Sequence, residues 1–201
     1  FYDVESPLIA VLTGMEYEGV NIDVDFLHDY SKEITHDILH VQDKIYEACG
    51  AHFNLDSPKQ LGEILFEKMK IPYTGKKTKT GQYSTDEETL SKAEHEHPVI
   101  EHILDYRELT KLKSTYVDAL PLLINLRTKR LHTTFNQTIA ATGRLSSINP
   151  NLQNIPIRTD RGKKIRQAFI PRDKHHQLLS VDYSQVELRI VASLSGDENM
   201  I

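Results

Sequence analysis

The sequence predicts an α+β fold in which a mainly helical part, residues 1–130, precedes a part with short strands, residues 131–201. The first observation is a change of period: apolar residues recur every three or four positions before Leu131 and alternate in twos directly after it. The second is a change of charge, since 15 basic and 23 acidic residues precede position 131, whereas nine basic and six acidic residues follow. The third is a set of turn-forming glycines and prolines between residues 143 and 162, which separate the strand candidates.

Two helices are predicted early in the first part. Over residues 23–48, apolar side chains fall on one helical face, and Gly50 is a suitable stop. A second helix is predicted over residues 58–68. Its start has Ser57 as cap, Pro58 in the first helical position and Gln60 closing a capping box.

The lysine loop, residues 70–83, contains no acidic residue and separates these helices from the next two. A further helix is predicted to start at Ser84 or Thr85, and a long one near Pro98. Pro121 should kink or divide the long helix, because proline removes a backbone donor and clashes with the preceding turn. Up to about residue 128 the chain is therefore predicted to be all helical.

The second part supplies three strand candidates and one helix. Residues 131–138 alternate and are rich in β-branched side chains, and residues 165–170 and 177–181 are shorter candidates. A helix is predicted over residues 184–192. Together these elements complete the α+β prediction.

Composition limits the class of protein. With 39% hydrophobic and 26% charged residues the chain is typical of a soluble globular protein, and its 201 residues allow one or two domains. No apolar run approaches the roughly 20 residues that cross a bilayer, and a single cysteine, Cys49, forms no internal disulfide, so a cytosolic location is expected. Ten histidines lack cysteine partners and ligand spacing, which argues against structural zinc.

Asp182 is the strongest candidate for a catalytic, metal-binding residue. The apolar run before it predicts a buried strand, so its carboxylate is expected at the carboxyl end of that strand, where a divalent cation could meet a phosphate. The alternative is structural: Asp182 assists a turn, while Ser184 caps the next helix and Glu187 completes a capping box.

Other segments offer polar groups to a polyanion or to base edges. Gly143 allows a tight turn beside Arg144, and the loop 149–156 is rich in amides that can contact minor-groove acceptors or bond their own backbone. The segment 158–174 holds seven basic and two acidic residues. The lysine loop is either a phosphate-binding loop or a solvated one.

Four motifs in this order resemble the polymerase domain of family A DNA polymerases. They are TGRLSS (142–147), NPNLQNIP (149–156), KIRQAFI (164–170) and DYSQVELR (182–189). The last departs from the usual family pattern at Val186, where isoleucine is common. The first part also resembles the start of the family's thumb, so the likeness spans essentially the whole chain.

The resemblance implies roles at the polymerase centre. Asp182, with the backbone carbonyl of Tyr183, would be a metal ligand in a two-metal displacement. Glu187 would be the steric gate against a ribose 2′-hydroxyl, which argues against single-subunit RNA polymerases. Gln185 and Arg158 would lie near the incoming nucleotide.

Primer-template contacts are also implied. Arg144 resembles the arginine that reaches the minor groove at the primer terminus, where acceptors common to all base pairs permit sequence-independent contact. The other implied contacts are Thr142, Asn151, Gln153 and Asn154 near the duplex, and Lys76, Lys77 and Lys79 at the tip of the thumb.

The family's fingers helix and its second metal-binding aspartate do not follow Ile201. The expectation is therefore a fragment of a DNA-directed DNA polymerase, a thumb over residues 1–130 and a partial palm over 131–201, inactive alone and not able to bind both Mg²⁺ ions. Expected partners are primer-template DNA and deoxynucleoside triphosphates in the bacterial cytosol or nucleoid, with no membrane and no obligate protein partner. A non-catalytic duplex-DNA-binding module and a structural descendant of the family are the alternatives.

Overall fold

The computed structural model describes residues 1–200 as helices with small antiparallel sheets. The predicted α+β class is confirmed. Internal contacts divide the chain into two compact units, Phe1–Ile170 and Pro171–Ile201.

Helices form most of the first unit. In the described residues the α-helices are α1 (Glu5–Glu18), α2 (Val24–Cys49), α3 (Pro58–Gly62), α4 (Glu87–Lys92), α5 (Pro98–Leu112), α6 (Ala119–Leu122), α7 (Asp160–Arg166) and α8 (Val186–Ser195). The strands are β1 (Asn21–Ile22), β2 (Thr134–Asn136), β3 (Ser146–Ile148) and β4 (Phe169–Ile170). Two π-helical turns, Glu63–Lys68 and Lys113–Val117, continue α3 and α5. The strands form two antiparallel pairs, β1 with β4 and β2 with β3.

Helix α2 confirms the helix predicted over residues 23–48. It begins where the Asp23 carboxylate accepts a hydrogen bond from the Phe26 backbone N–H at 2.9 Å, which satisfies a donor that a helix start leaves unpaired. It ends at Gly50, whose left-handed backbone (φ +57°) suits a residue without a Cβ. The apolar face of α2 packs along α5.

The core of the first unit is one apolar cluster. Its largest fully buried side chains are Leu27, Ile34, Ile45, Leu61, Leu65, Leu90, Ile100, Ile103, Leu109, Leu120, Leu131 and Ile165. Each contributes about 1.5–3 kcal/mol relative to an exposed position. Because Leu131 and Ile165 belong to the same cluster as the earlier helices, the core continues past residue 130. The subdomain boundary near residue 130 stays a prediction.

The helix predicted over residues 58–68 is confirmed as α3 and its π-helical continuation. Ser57 is the cap, since its Oγ accepts a hydrogen bond from the Gln60 N–H at 3.4 Å. The predicted capping box is wrong in its second half. The Gln60 side chain accepts from the Asn54 N–H at 2.9 Å, so that it orders the preceding turn instead of returning to Ser57.

Helix α4 begins at Glu87, and the start predicted at Ser84 or Thr85 is wrong. Asp86 is the cap, because its Oδ1 accepts from the Thr89 N–H at 2.7 Å. Ser84 acts on that cap by donating its hydroxyl to Asp86 Oδ2 at 2.6 Å. The hydrogen bonds from Ser84 and Thr89 lower the pKa of Asp86 to about 2. The Thr85 side chain accepts from Arg107 instead.

The long helix is divided, as predicted, and the division lies in the turn before Pro121. Helix α5 starts at Pro98 and ends at Leu112, and the π-helical turn and the short α6 follow. Pro121 is the third residue of α6 and lies four residues after Val117, where the π-helical turn ends. A proline ring clashes with the carbonyl of the residue four positions before it, which explains why regular α-helix is interrupted there.

Residues 1–128 are not all helical, which corrects another prediction. Strand β1 pairs with β4, with Asn21 opposite Ile170 and Ile22 opposite Phe169. The strand predicted over 131–138 forms only at β2, and that over 165–170 only at β4, because the residues up to Arg166 belong to α7. Periodicity describes neighbours along the chain, whereas these short strands exist through partners far away in sequence.

No helix within residues 1–200 is both long enough and apolar enough to cross a bilayer.

Candidate functional site

A β-hairpin in the first unit presents the first motif. Strands β2 and β3 pair in antiparallel register, and the residues between them form the connection. In this connection Gly143 has a left-handed backbone (φ +75°), and its N–H donates to the Ala140 carbonyl at 3.1 Å. A residue with a Cβ adopts that conformation at a cost. Thr142 and Arg144 flank the glycine and are exposed.

Two carboxylates of α1 hold this hairpin. Glu16 Oε1 accepts a hydrogen bond from the Phe135 backbone N–H at 2.6 Å. Glu5 Oε2 accepts one from the Gln137 side-chain amide at 2.7 Å, close to the point where the connection begins. Hydrogen bonds to charged acceptors are stronger than those between neutral groups. The base of the hairpin is therefore fixed while its connection faces solvent.

The amide-rich loop is organised by one buried hydroxyl. Ser147 is only 1% exposed, and its Oγ accepts hydrogen bonds from the backbone N–H groups of Leu152 at 3.1 Å and Gln153 at 3.3 Å. The same hydroxyl lies 3.2 Å from Asn151 Oδ1, to which it donates. A side chain of β3 thus closes the loop onto the hairpin.

Two further hydroxyls fix the loop from outside it. Thr133 Oγ1 lies 2.7 Å from the Pro150 carbonyl and 3.1 Å from the Ile148 carbonyl, both acceptors. The Tyr116 hydroxyl, on the second π-helical turn, donates to the Asn154 carbonyl. The loop backbone is held on both sides, and its exposed side chains project from a fixed support.

The amide side chains do not all play the same part. Asn151 Oδ1 also accepts from the Gln153 N–H at 3.0 Å, so that this oxygen is used within the turn. The alternative of amides that bond their own backbone therefore applies to Asn151. The side chains of Gln153 and Asn154 are exposed.

Ser147→Ala is expected to loosen the amide-rich loop. It leaves the Leu152 N–H without its acceptor, whereas the Gln153 N–H loses one of two acceptors and keeps Asn151 Oδ1. An unsatisfied donor costs about 1–3 kcal/mol, so hydrogen exchange in the intact protein should report a loss of opening free energy in that range at Leu152 and a smaller loss at Gln153. Ser146→Ala is the matched control on the same strand and should leave both amides protected. Equal exchange in the two variants would contradict the assignment.

Three of the seven basic residues in segment 158–174 are paired inside the first unit. The pairs are Arg161 with Asp105, Lys164 with Glu33 at 2.5 Å, and Lys163 with Asp160 at 2.9 Å. The first two attach α7 to α5 and α2, which explains part of the basic stripe as structure. Arg158, exposed just before α7, keeps its predicted place as a candidate.

The predicted buried strand before Asp182 is wrong. Leu179 and Val181 are 88% and 82% exposed, and no strand within residues 1–200 pairs with residues 177–181. A strand needs a hydrogen-bonded neighbour and a face to bury, and the second unit supplies neither within the described residues. Asp182 and Tyr183 lie exposed in an irregular segment, and the Asp182 side chain makes no hydrogen bond or ion pair within residues 1–200.

The structural alternative for Ser184 and Glu187 is also wrong. Gln185 precedes α8 in a left-handed conformation (φ +51°), and no side chain caps this helix start. The Ser184 carbonyl accepts a hydrogen bond from Arg189 Nε at 3.1 Å instead. Glu187 lies exposed in the first turn of α8.

Residues 1–200 contain no cluster of three or more His, Cys, Asp or Glu side chains arranged to hold a metal ion. Asp182 therefore belongs to no such cluster within these residues.

Sequence reasoning missed the residues that position the loop. The one local signal at Tyr116 is that a buried tyrosine hydroxyl usually has a hydrogen-bond partner. Ser147 and Thr133 carry the same signal, a hydroxyl in a run otherwise suited to burial. The signal indicates that a partner exists without identifying it.

A family model described as DNA polymerase family A matches residues 24–201. The chain is 54% identical to DNA polymerase I of Synechocystis sp. over 196 residues, which are 97% of this chain and 20% of that protein. It is 52% identical over 201 residues to the thermostable DNA polymerase I of Thermus aquaticus, covering 100% of this chain and 24% of the relative. The chain thus spans a fifth to a quarter of the length of these relatives.

A solved structure is similar over nearly the whole chain. It is the POL domain of Pol1 from M. smegmatis in complex with DNA primer-template and dNTP. The TM-score is 0.87 and the identity 45%, over 96% of this chain and 34% of that one.

Proposed function

Since the chain belongs to DNA polymerase family A, we propose that the intact protein carrying it adds deoxynucleotides to a DNA primer in the 5′ to 3′ direction, as a template directs. The observation that carries this proposal is the 45% identity over 96% of the chain to a polymerase domain solved with primer-template and dNTP. In this proposal residues 1–130 are the thumb and residues 131–201 the first part of the palm.

The primer-template contacts we propose come from supported loops of the first unit. Arg144 and Thr142 lie on the hairpin connection, and Gln153 and Asn154 on the amide-rich loop that Ser147 holds. Asn151 contributes through its remaining side-chain donors. Minor-groove acceptors occupy similar positions in all base pairs, so such groups suit binding that is independent of sequence. Lys76, Lys77 and Lys79 add attraction to backbone phosphates.

Asp182 is proposed as a ligand of a divalent cation, with the Tyr183 carbonyl beside it. Its exposed carboxylate, without a partner among residues 1–200, fits Mg²⁺, which usually takes one or two protein carboxylates and completes its shell with water and phosphates. We propose that residues 1–201 alone do not bind both ions of a two-metal mechanism. When bound, such a cation neutralises charge on the transferred phosphoryl group.

Glu187, Gln185 and Arg158 are proposed to contact the incoming nucleotide. Glu187, exposed in the first turn of α8, is the steric gate at the sugar. Arg158 offers five donors in a rigid fork that suits a triphosphate. We also propose a location in the bacterial cytosol or nucleoid, and we propose no obligate protein partner.

Primer extension by the intact protein tests the proposal. Template-dependent growth of a labelled primer in the presence of magnesium and deoxynucleotides is the expected result. Absence of extension under these conditions, with duplex DNA still bound, would overturn it and favour the non-catalytic DNA-binding module. The titration that measures this binding should show affinity falling steeply with salt.

Glu187→Ala in the intact protein is expected to relax the rejection of ribonucleotides. A shorter side chain leaves room for the 2′-hydroxyl, so the ratio of kcat/KM for deoxynucleotide over ribonucleotide should fall by roughly tenfold or more, a difference of about 1.4 kcal/mol. Single-nucleotide incorporation kinetics measure it. Glu198→Ala is the control in the same unit, and a ratio that changes equally in both variants would remove the assignment.

A further inference from the structure

The lysine loop has a defined tip. The Gly81 N–H donates to the Thr78 carbonyl at 2.9 Å, which closes a four-residue turn, and the Thr78 N–H donates to the Gln82 carbonyl at 2.8 Å. Lys79 is the second residue of that turn, at its outer corner. The loop is therefore an ordered structure that presents Lys79 to solvent, not a solvated connection without internal bonds.

The Tyr73 hydroxyl links two segments of the loop by hydrogen bonds. Tyr73 Oη donates to the Lys76 carbonyl at 2.8 Å and accepts from the Ser84 N–H at 3.0 Å. The Tyr73 ring packs in a cluster of three aromatic rings, with centroid distances of 4.6 Å to Phe66 and 4.9 Å to Tyr83. The buried Phe66 joins this group to the core.

Gly75 gives independent support for this arrangement. A Cβ at Gly75 would lie 2.8 Å from Tyr73 Oη and 2.9 Å from Thr89 Cγ2. The backbone at Gly75 thus passes close to the tyrosine hydroxyl, and a side chain at this position would require Tyr73 or Thr89 to shift.

The three lysines of the loop are not equivalent. Lys77 Nζ lies 4.1 Å from the centroid of the Tyr83 ring, where the ring quadrupole attracts the cation. Lys76 and Lys79 are exposed and make no ion pair or ring contact within residues 1–200. The ammonium groups of Lys76 and Lys79 are therefore available to a ligand, whereas that of Lys77 lies against the Tyr83 ring.

We propose that Tyr73 is a positioning residue for DNA binding, whose hydroxyl orients the lysine loop so that Lys76 and Lys79 contact backbone phosphates while Lys77 stays on Tyr83. The inference rests on the proposed function, since the partner is the duplex of the primer-template. It adds that the three lysines of the loop contribute unequally to DNA binding, and that Tyr73 affects binding through their positions.

The test is a titration of the intact protein with duplex DNA over a series of salt concentrations, without nucleotide or divalent metal. Tyr73→Phe keeps the ring and removes both hydrogen bonds, so low-salt affinity should fall about three- to tenfold. Lys76→Ala and Lys79→Ala should each reduce the slope of log affinity against log salt by about 0.9, the value for one phosphate contact. Lys77→Ala should reduce it by less than half as much.

Two matched controls separate positioning from general damage. Tyr83→Phe removes a neighbouring hydroxyl that has no hydrogen bond within residues 1–200, and Lys92→Ala removes a cation outside the loop. Both should match the parent protein in affinity and slope. Tyr73→Phe should also reduce the salt slope, because misplaced lysines release fewer counterions.

The possible outcomes test two claims separately: that the protein binds duplex DNA through phosphate contacts, and that Tyr73 positions the lysine loop. If the parent protein shows no salt-dependent binding of duplex DNA, the proposed DNA contacts fail. If the parent binds but Tyr73→Phe equals Tyr83→Phe, the role of Tyr73 is overturned while the proposed function stands. The role is equally overturned if Tyr73→Phe weakens binding by the same factor at every salt concentration, which is the result of general destabilisation.

Discussion

Asp182→Ala in the intact protein is expected to reduce primer extension by roughly a thousandfold or more, because charge-stabilising groups at a transferred phosphoryl are worth about 10³–10⁵ in rate. Asp182 is an exposed carboxylate with no partner among residues 1–200, so its loss disturbs no contact of the fold. The affinity for primer-template should remain, since the proposed DNA contacts lie in the first unit. Single-turnover incorporation and a parallel DNA titration measure both quantities.

The controls for this prediction distinguish charge from shape. Asp182→Asn keeps the size of the side chain and removes its charge, so it should be nearly as inactive as Asp182→Ala. Asp197→Ala removes another exposed carboxylate of the second unit, one that accepts from the Asn199 N–H at 2.8 Å, and should retain activity. Incorporation at the parent rate by Asp182→Ala would remove the proposed metal ligand.

Gly19→Ala is expected to be the most destabilising of the glycine substitutions, by about 2–6 kcal/mol. Gly19 has a backbone conformation (φ +65°, ψ −170°) that is almost restricted to glycine, where a residue with a Cβ pays about 1–3 kcal/mol. The added Cβ would lie 2.4 Å from the Leu131 carbonyl oxygen, and overpacking of this kind costs about 1–3 kcal/mol more. That oxygen accepts the Val20 N–H at 2.9 Å, so the bridge between the two chain segments must shift.

Two other glycines separate the contributions to this effect. Gly50 also has positive φ (+57°) but open space around its Cβ position, so Gly50→Ala should cost only the backbone strain, about 1–2 kcal/mol. Gly14 lies inside α1 with open space around its Cβ position, so Gly14→Ala should raise the stability of the protein by about 0.5–1 kcal/mol. Hydrogen exchange of the Val20 and Leu131 amides in the intact protein measures the opening free energy. A Gly19→Ala effect no larger than that of Gly50→Ala would contradict the close approach.

Local signals in the sequence predicted the helical half of the fold. Helix α2 and the start of α3 depend on side chains within three or four residues of the helix end, as at Asp23 and Ser57. Such capping hydrogen bonds join residues that are close along the chain, so the local sequence is enough to predict them. The same local signals misplaced the start of α4, because Ser84 and Asp86 are both suitable caps and the structure uses Asp86.

The candidate site divides in the same way. The motifs placed Asp182, Glu187, Arg144 and the lysine loop on the chain, because residue type and order are properties of the sequence alone. They did not reveal that Ser147 organises the amide-rich loop, that Tyr73 ties the lysine loop, or that Arg161 and Lys164 are used in ion pairs. Each of these is a contact with a partner that local periodicity does not identify.

By itself, the sequence determined the α+β class, the helices with their own caps and faces, and the order of the family motifs. Only the tertiary structure decided that β1 pairs with β4, that residues 177–181 form no strand, and which polar side chains support the loops and which face solvent. The physical reason is range: a helix satisfies its hydrogen bonds within four residues, whereas a strand, a buried hydroxyl or an ion pair needs a partner that the whole fold must bring to it.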